Sequence, residues 1–157
     1  MIEIKEIDEG LFRSEKEQYQ FIIGEYATYN RYYKIIVQQK SNIDIGLMSI
    51  STGIKPQVLL YNNMLLVGAG DGFFIYDLNG DLIKNYSTFP AFYEFIIKEQ
   101  KILIISELSV LLLDSTFNKV WERDFNEIID LNEIKDNDII LRDFNGNFIH
   151  LNFLTGE

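Results

Sequence analysis

The chain carries a repeat of about 37 residues, and this repeat constrains its fold more than any other feature. Residues of the same chemical type recur at a spacing of 37, or 38 in the last copy. The repeated positions are Leu60, Ile97 and Ile134; Leu65, Ile102 and Ile139; and Asp77, Asp114 and Asn152. A repeat of this length is typical of proteins built from stacked copies of one supersecondary unit.

Each repeat has the pattern of four short strands, a to d, joined by polar turns. In the clearest copy, apolar and aromatic runs predict strands at 57–60, 64–69, 73–77 and 82–86. The next copy predicts strands at 94–97, 101–106, 110–114 and 119–123. The last predicts a strand that ends at Ile134 and strands at 138–142 and 148–152. Each copy therefore reads as an antiparallel meander.

The start of the chain reads as a degenerate first copy. Its predicted strands are 19–23, 32–38 and 44–50, with Thr52-Gly53 leading into a short fourth strand. Residues 2–7 predict one further strand. Since the last copy stops inside the turn before its strand d, we expect residues 2–7 to pair with strand c of that copy and complete it. The units are then 17–56, 57–90, 91–127 and 128–157 in a single domain, 1–157.

Strands b and c are apolar on both faces. Val110 and Leu112 point to one side, and Leu111 and Leu113 point to the other. Two-sided burial predicts sheets that stack on both sides, as the blades of a propeller do, or a buried central strand in a larger sheet. In the c–d turns, Asn79-Gly80 favours positive φ, and Asn118 takes the place that a glycine would hold.

From residue 57 to the end, the chain resembles the propeller repeats of the pyrroloquinoline-quinone type and, more loosely, WD repeats. The segments that carry this resemblance are 71–80, 119–121, 145–152 and 155–157. The resemblance implies blade geometry, and the dedicated cofactor residues of the quinone enzymes have no counterpart here. We therefore expect an all-β fold, a small propeller-like array of about four antiparallel four-stranded meanders, without a cofactor.

Composition limits the partners and the compartment. The chain has 24 acidic and 14 basic residues, a formal net charge of −10, and no cysteine. Such a surface repels phosphate backbones and attracts basic proteins, so we expect a basic protein partner and no nucleic acid. The charged N-terminal residues do not form a signal peptide, and no apolar run is long enough to span a bilayer. We expect a cytoplasmic protein without membrane contact.

Three motifs suggest chemistry, and a structural role explains each of them better. His150 stands where Ile75 and Leu112 stand in the other copies, which predicts a core or half-buried histidine. The calcium-like segment 143–147 is followed by Phe148 where glycine is required, and Leu154 replaces the glutamate at the twelfth position. The glycine-rich segment 68–72 leads into a strand rather than a helix, so it predicts a turn. We therefore expect no catalytic, cofactor or metal site.

Two groups of residues are candidates for partner binding. An acidic segment contributes Glu122, Asp124, Glu127, Asp130, Glu133 and Asp136. A tyrosine-rich segment contributes Tyr29, Arg31 and Tyr32, residue types that often anchor interfaces. The acidic residues would form a docking surface for a basic protein, or they would only keep the chain soluble.

These observations favour a non-enzymatic protein-binding module, in its most concrete form an immunity or inhibitor protein that neutralises a basic toxin nuclease. Two alternatives stay open: a small enzyme or ligand or metal sensor that uses a central channel, and a structural subunit of a larger assembly. The chain would be a monomer, or a homodimer in which a second copy supplies the missing edge strand.

Overall fold

The computed structural model of the protein describes residues 1–24, 30–39 and 41–157. Over these residues the chain folds into four β-sheets, and helix is confined to one short segment near the N-terminus. The chain divides into two compact units, Met1–Tyr86 and Ser87–Glu157. Its assignment to a single domain stays a prediction. None of the helices in the described ranges is both long and apolar enough to cross a bilayer.

The first sheet has strands β1 (Ile2–Ile7), β2 (Phe21–Ile23), β3 (Arg31–Val37) and β4 (Ile43–Ser49). The second has β5 (Gln57–Tyr61), β6 (Met64–Ala69), β7 (Gly72–Asp77) and β8 (Leu82–Ser87). The third has β9 (Phe92–Lys98), β10 (Lys101–Ser106), β11 (Ser109–Leu113) and β12 (Lys119–Asp124). The fourth has β13 (Ile129–Lys135), β14 (Asp138–Asp143) and β15 (Phe148–Asn152). The predicted strands of the last three copies are confirmed within two residues.

The first sheet differs from the prediction in its topology. Its strand order is β1-β3-β4-β2, with β2 parallel to β4, so it is not a simple meander. The N-terminal strand pairs antiparallel with β3, from Ile2 opposite Val37 to Ile7 opposite Tyr32. The predicted pairing of residues 2–7 with the last copy is therefore wrong. Residues 50–56 contain no strand, so the predicted short strand after Thr52-Gly53 is also wrong.

A helical segment that the sequence analysis did not predict covers part of the first sheet. Helix α1 spans Glu9–Ser14 and a 3₁₀ turn spans Lys16–Gln18, and the Asp8 carboxylate caps α1 by accepting the Leu11 N–H at 2.8 Å. The rings of Phe12 and Tyr19 lie 5.2 Å apart and pack on Gly46 of β4. A Cβ at Gly46 would lie 2.8 Å from Tyr19 and 2.9 Å from Phe12, so this packing requires glycine.

Each unit is held together by one apolar cluster shared between its two sheets. In the first unit, buried residues of β3 and β4, such as Ile35 and Leu47, join Leu65 and Val67 of β6. In the second unit, Leu103 and Leu112 of the third sheet join buried residues of the fourth sheet. Those fourth-sheet members are Ile129, Ile139, Leu141 and Leu151, and Phe153, which follows β15, packs with them. Face-to-face burial of this kind supplies the main favourable term in folding.

The a–b turns are two-residue hairpin turns with left-handed backbone. Asn62 and Asn63 have φ of 51° and 59°, and Glu99 and Gln100 have φ of 50° and 60°. Asparagine tolerates this conformation well, whereas glutamate and glutamine adopt it at a cost. The hairpin between β9 and β10 therefore carries backbone strain that the β5–β6 hairpin avoids.

The c–d turns, together with the β14–β15 turn, repeat one hydrogen-bond pattern. The Asp77 carboxylate accepts the backbone N–H groups of Asn79 and Asp81, both at 2.9 Å, and Gly80 has a φ of 99°. These bonds, led by the one from Asp81, lower the pKa of Asp77.

In the β11–β12 turn, Phe117 has the positive φ, 64°, so the prediction that Asn118 fills the glycine position is wrong.

Replacing the strained a–b turn should stabilise the protein. We expect Glu99→Asn with Gln100→Gly to raise the free energy of unfolding by about 1 kcal/mol, because both new residues adopt positive φ more readily. Urea denaturation followed by circular dichroism measures this change. The reciprocal variant, Asn62→Glu with Asn63→Gln, should lower stability by a similar amount. Equal shifts of the same sign in both variants would contradict the explanation.

Candidate protein-docking surface

One face of the fourth sheet points to solvent, although the matching faces of the second and third sheets are buried. Cross-strand pairs place nine side chains on this face, because paired residues project to the same side of a sheet. They are Asp130, Glu133 and Lys135 of β13; Asp138, Ile140 and Arg142 of β14; and Phe148, His150 and Asn152 of β15. Asp138 and Ile140 are half-buried, and the other seven are exposed. We call these nine residues the exposed face.

At one position of strand c, the exposure of the side chain differs between the fourth sheet and the two sheets before it. Ile75 and Leu112 are 0% exposed, whereas the side chain of His150, which has the same place in the repeat, is 59% exposed. Two-sided burial is thus confirmed for strands b and c of the second and third sheets. For β14 and β15 it is wrong, because their residues alternate between the core and solvent. His150 accordingly is not a core residue.

His150 is paired on the exposed face. Its Nδ1 lies 2.8 Å from a carboxylate oxygen of Asp138 on the neighbouring strand. No group of three or more His, Asp or Glu side chains in the described ranges could hold a metal ion. The Asp143 carboxylate, in the calcium-like segment, accepts the backbone N–H of Asn147 at 2.8 Å and its side-chain amide at 2.9 Å. The segment therefore folds as a hairpin turn.

The predicted acidic residues fall on four parts of the second unit. Asp130 and Glu133 lie on the exposed face, Asp136 lies in the β13–β14 turn, and Glu127 precedes β13. Glu122 and Asp124 lie on β12. All six are exposed.

Two of these acidic residues are engaged by neighbours in the same unit. Glu122 forms an ion pair with Lys119 at 2.8 Å. Glu127 accepts a hydrogen bond from the Asn145 amide at 2.7 Å. Of the predicted acidic residues, Asp130 and Glu133 are the two that lie on the exposed face.

The negative charge of Asp130 contributes to the raised pKa values of two groups on β9. Burial, followed by the negative charge of Asp130, raises the pKa of Glu94 on β9. Burial is also the main cause that raises the pKa of Tyr93, with Glu107 and Asp130 contributing.

The second predicted binding group lies in the first unit and is engaged internally. The Arg31 guanidinium forms an ion pair with Glu6 at 2.6 Å and lines a cavity of about 140 Å³ with residues 50–55. The Tyr32 ring packs 5.2 Å from the Phe12 ring. Tyr29 lies outside the described residues. Arg31 and Tyr32 therefore have structural contacts, and their role as partner-binding residues stays a prediction.

Sequence reasoning did not identify the exposed face, although its signal was present. On this side of strands b and c, the third copy has Ile105, Val110 and Leu112, and the last copy has Arg142, Phe148 and His150 at the same positions. A polar substitution on one face of a repeat predicts that no further sheet stacks there. The polarity of each strand, considered separately for its two faces, therefore predicts the exposed face.

Comparisons with known proteins identify the fold. No protein-family model matches the chain, and no curated protein matches it significantly. The computationally designed Ika4 protein is similar in structure, with 15% sequence identity and a TM-score of 0.53 over 68% of this chain and 71% of that one. BamB from Moraxella catarrhalis has 16% identity and a TM-score of 0.53 over 79% of this chain and 44% of its own.

A third structure, BBS1N in complex with ARL6DN, has 12% identity and a TM-score of 0.50, over 85% of this chain and 48% of its own. The chain thus matches less than half the length of BamB and of BBS1N. Both are β-propeller-type proteins, and this chain has the same type of all-β fold. At these identities the likeness concerns the fold alone.

Removing the carboxylate of Glu94 should stabilise the protein at neutral pH. The pKa of Glu94 is raised in the folded state. Glu94 therefore contributes its full stabilisation below the unfolded pKa of about 4.3, and this stabilisation is lost as pH rises through the folded pKa. We expect Glu94→Gln to raise the melting temperature at pH 7 and to change it little at pH 4. Differential scanning calorimetry at both pH values measures the effect. Glu133→Gln is the control. An equal rise in melting temperature from this variant at pH 7 would show that the effect of Glu94→Gln comes from net charge alone.

Proposed function

We propose that the protein is a non-enzymatic binding module whose exposed face docks a basic protein. The observation that carries this proposal is the polar, exposed surface of the fourth sheet at a place where the second and third sheets bury apolar residues. An exposed face of three strands suits a protein partner better than a small molecule, which requires a concave pocket.

The charge of the surface supports a basic partner. The exposed face has Asp130, Glu133 and Asp138 against Lys135 and Arg142, and the exposed acids Glu127 and Asp136 flank it. The whole chain, these residues included, has a net charge of −10. This charge attracts a basic protein at long range and repels nucleic acid and anionic membranes. Such complementarity accelerates association and makes it sensitive to salt.

Aromatic residues on the same surface provide apolar contact area. Phe148 on the exposed face is 59% exposed, and Phe144 in the adjacent turn is 80% exposed. Aromatic side chains are enriched at protein interfaces because they bury a large area at a small cost in conformational entropy. A partner that covers Phe148 would thus gain hydrophobic energy in addition to the electrostatic attraction.

The more specific form of this proposal is an immunity or inhibitor protein that neutralises a basic toxin nuclease in the cytoplasm. A nuclease presents basic residues where it binds phosphates, and an acidic surface that mimics those phosphates would cover them. The negative charge of the chain supports this form. Asp130 and Glu133, both on β13, are the residues that we expect to pair with the partner's Lys and Arg side chains.

Charge reversal on the exposed face should abolish capture of the partner. The wild-type protein is immobilised, a lysate of its native cell is passed over it, and retained proteins are identified. We expect one stoichiometric basic protein, and we expect Asp130→Lys with Glu133→Lys to weaken its binding at least tenfold, about 1.4 kcal/mol. Calorimetry with the purified partner measures the affinity, which should fall as salt increases.

A matched variant controls for net charge. Glu17→Lys with Asp71→Lys changes the charge by the same amount at exposed positions of the first unit, and it should retain full binding. Recovery of no basic protein, or equal weakening by both double variants, would rule out docking on the exposed face.

A further inference from the structure

We propose that the first unit binds a free α-amino acid with an aliphatic side chain, in a site formed by β1, β3 and the β4–β5 link (residues 50–56). The site shares no residue with the exposed face, so this inference is independent of the proposed docking function. It rests on two adjoining cavities, on a buried hydroxyl group without a partner, and on the charges that surround this group.

Two cavities of the first unit share part of their lining. One has a volume of about 140 Å³ and the other a volume of about 250 Å³. Both are lined by Glu6 of β1, Tyr33 of β3 and Lys55 of the β4–β5 link, so the two cavities adjoin. A cavity of about 150 Å³ is large enough for a molecule of the size of benzene. The space therefore suits a ligand with few non-hydrogen atoms.

The strand register gathers the polar side chains of the site. Glu6 is opposite Tyr33, and Arg31 lies two residues before Tyr33 on β3, so all three project to the same side of the first sheet. Tyr33 belongs to the buried cluster of the first unit, whereas the side chains of Glu6 and Arg31 are 46% and 50% exposed. The site thus lies where the apolar core of the unit meets solvent.

The β4–β5 link forms the remaining wall through polar contacts and a buried proline. The Arg31 Nε donates to the Ser51 hydroxyl at 3.4 Å, and the Thr52 hydroxyl accepts the Ile54 N–H at 3.4 Å. Pro56, at the end of the link, is buried. Because these contacts exist before a ligand binds, the entropic cost of binding is lowered.

The hydroxyl group of Tyr33 is the group of the site that requires a ligand. Tyr33 is 7% exposed, and its hydroxyl forms no hydrogen bond with any residue of the described ranges. Among the described residues, the only fully buried side-chain oxygen or nitrogen without a partner is the Thr88 Oγ1. The Tyr33 oxygen therefore retains contact with open space, and this space is the pair of cavities that Tyr33 lines. A ligand that bonds to this hydroxyl is favoured, because an unpaired polar group at a buried position is costly.

The charges of the two neighbouring side chains act on the same hydroxyl. Burial, followed by the negative charge of Glu6, raises the pKa of Tyr33, and the positive charge of Arg31 acts in the opposite direction. With a raised pKa the hydroxyl stays protonated at neutral pH. It is therefore a donor for an acceptor such as a carboxylate oxygen.

The charges of the lining identify the ligand as a zwitterion. The Glu6 Oε1 accepts the Arg31 Nη1 at 2.6 Å, and no described residue donates to the Glu6 Oε2. Lys55 is exposed and forms no ion pair within the described ranges. An α-carboxylate would accept from the Tyr33 hydroxyl and the Lys55 ammonium, and an α-ammonium would donate to the Glu6 Oε2. A simple anion would face the Glu6 oxygen, and a simple cation would face Lys55.

The apolar lining selects an aliphatic side chain. Ile4 and Pro56 line the larger cavity, and Ile50 and Ile54 line the smaller one. Each methylene group of the ligand that is buried against these residues should strengthen binding about fourfold. Affinity is therefore expected to rise from alanine to valine to leucine.

The test titrates the whole protein with L-alanine, L-valine and L-leucine. Two analogues of leucine complete the series: 4-methylpentanoate lacks the ammonium group, and 3-methylbutylamine lacks the carboxylate. Calorimetry measures affinity, and NMR of the backbone amides locates the site. We expect leucine to bind about tenfold more tightly than either analogue and to shift the amide signals of Arg31, Tyr33 and residues 50–55.

Three outcomes of these titrations would overturn the proposal. The first is absence of binding by all three amino acids at millimolar concentrations. The second is equal affinity for leucine and for either analogue, because the ligand would then not be recognised as a zwitterion. The third is a set of shifted amide signals that excludes the β4–β5 link.

Two variants connect the ligand to the proposed contacts. Tyr33→Phe keeps the ring and removes the hydroxyl, and it should weaken leucine binding about tenfold without lowering the melting temperature, because the hydroxyl has no partner to lose. Lys55→Gln should weaken leucine binding by a similar factor. The control Lys16→Gln removes the same charge at another exposed position of the first unit and should bind leucine as wild type does.

Full leucine affinity in both Tyr33→Phe and Lys55→Gln, or equal weakening in Lys16→Gln, would contradict the site. None of these measurements uses the basic partner, so a negative result here leaves the proposed docking function unchanged.

Discussion

Burial of apolar side chains between two facing sheets is the interaction on which each unit depends. Ile139 and Leu141 of the fourth sheet meet Leu103 and Leu112 of the third in one cluster, and all four are fully buried. Full burial of such a side chain contributes about 1.5–3 kcal/mol. A single sheet would leave these residues in water, so neither sheet of this pair is stable alone. The strands, the turns and the exposed face therefore depend on the pairing of the two sheets.

The turns preserve the register that this burial requires. A shift of one residue would move every apolar side chain of a strand to the opposite face, so the register must be held firmly. The c–d turns hold it with a carboxylate that accepts backbone N–H groups, at Asp77 and again at Asp114. Asp143 makes the same contact in the β14–β15 turn. The strain at Glu99 and Gln100 is tolerated because the strands beside that turn are buried in the core.

A helical segment covers part of the first sheet, whereas one face of the fourth sheet lies in solvent. On the first sheet, Phe12 and Tyr19 of the helical segment cover Gly46, and Lys34 forms ion pairs with Glu15 and Asp44, each at 3.0 Å. On the fourth sheet, polar residues replace the apolar ones and the face stays in solvent. The face of the fourth sheet that lies in solvent is available for binding.

The sequence by itself determined the strands, the turns and the apolar positions of the last three copies, because hydrophobic period and turn chemistry are local properties. It also contained the polar replacements at Arg142 and His150 that predict an exposed face. Only the tertiary structure decided that β1 pairs with β3 and that β2 lies parallel to β4. The reason is physical: backbone hydrogen bonds are alike for every strand, so an isolated strand such as residues 2–7 does not specify its partner. The available edges and the side chains packed around them make that choice.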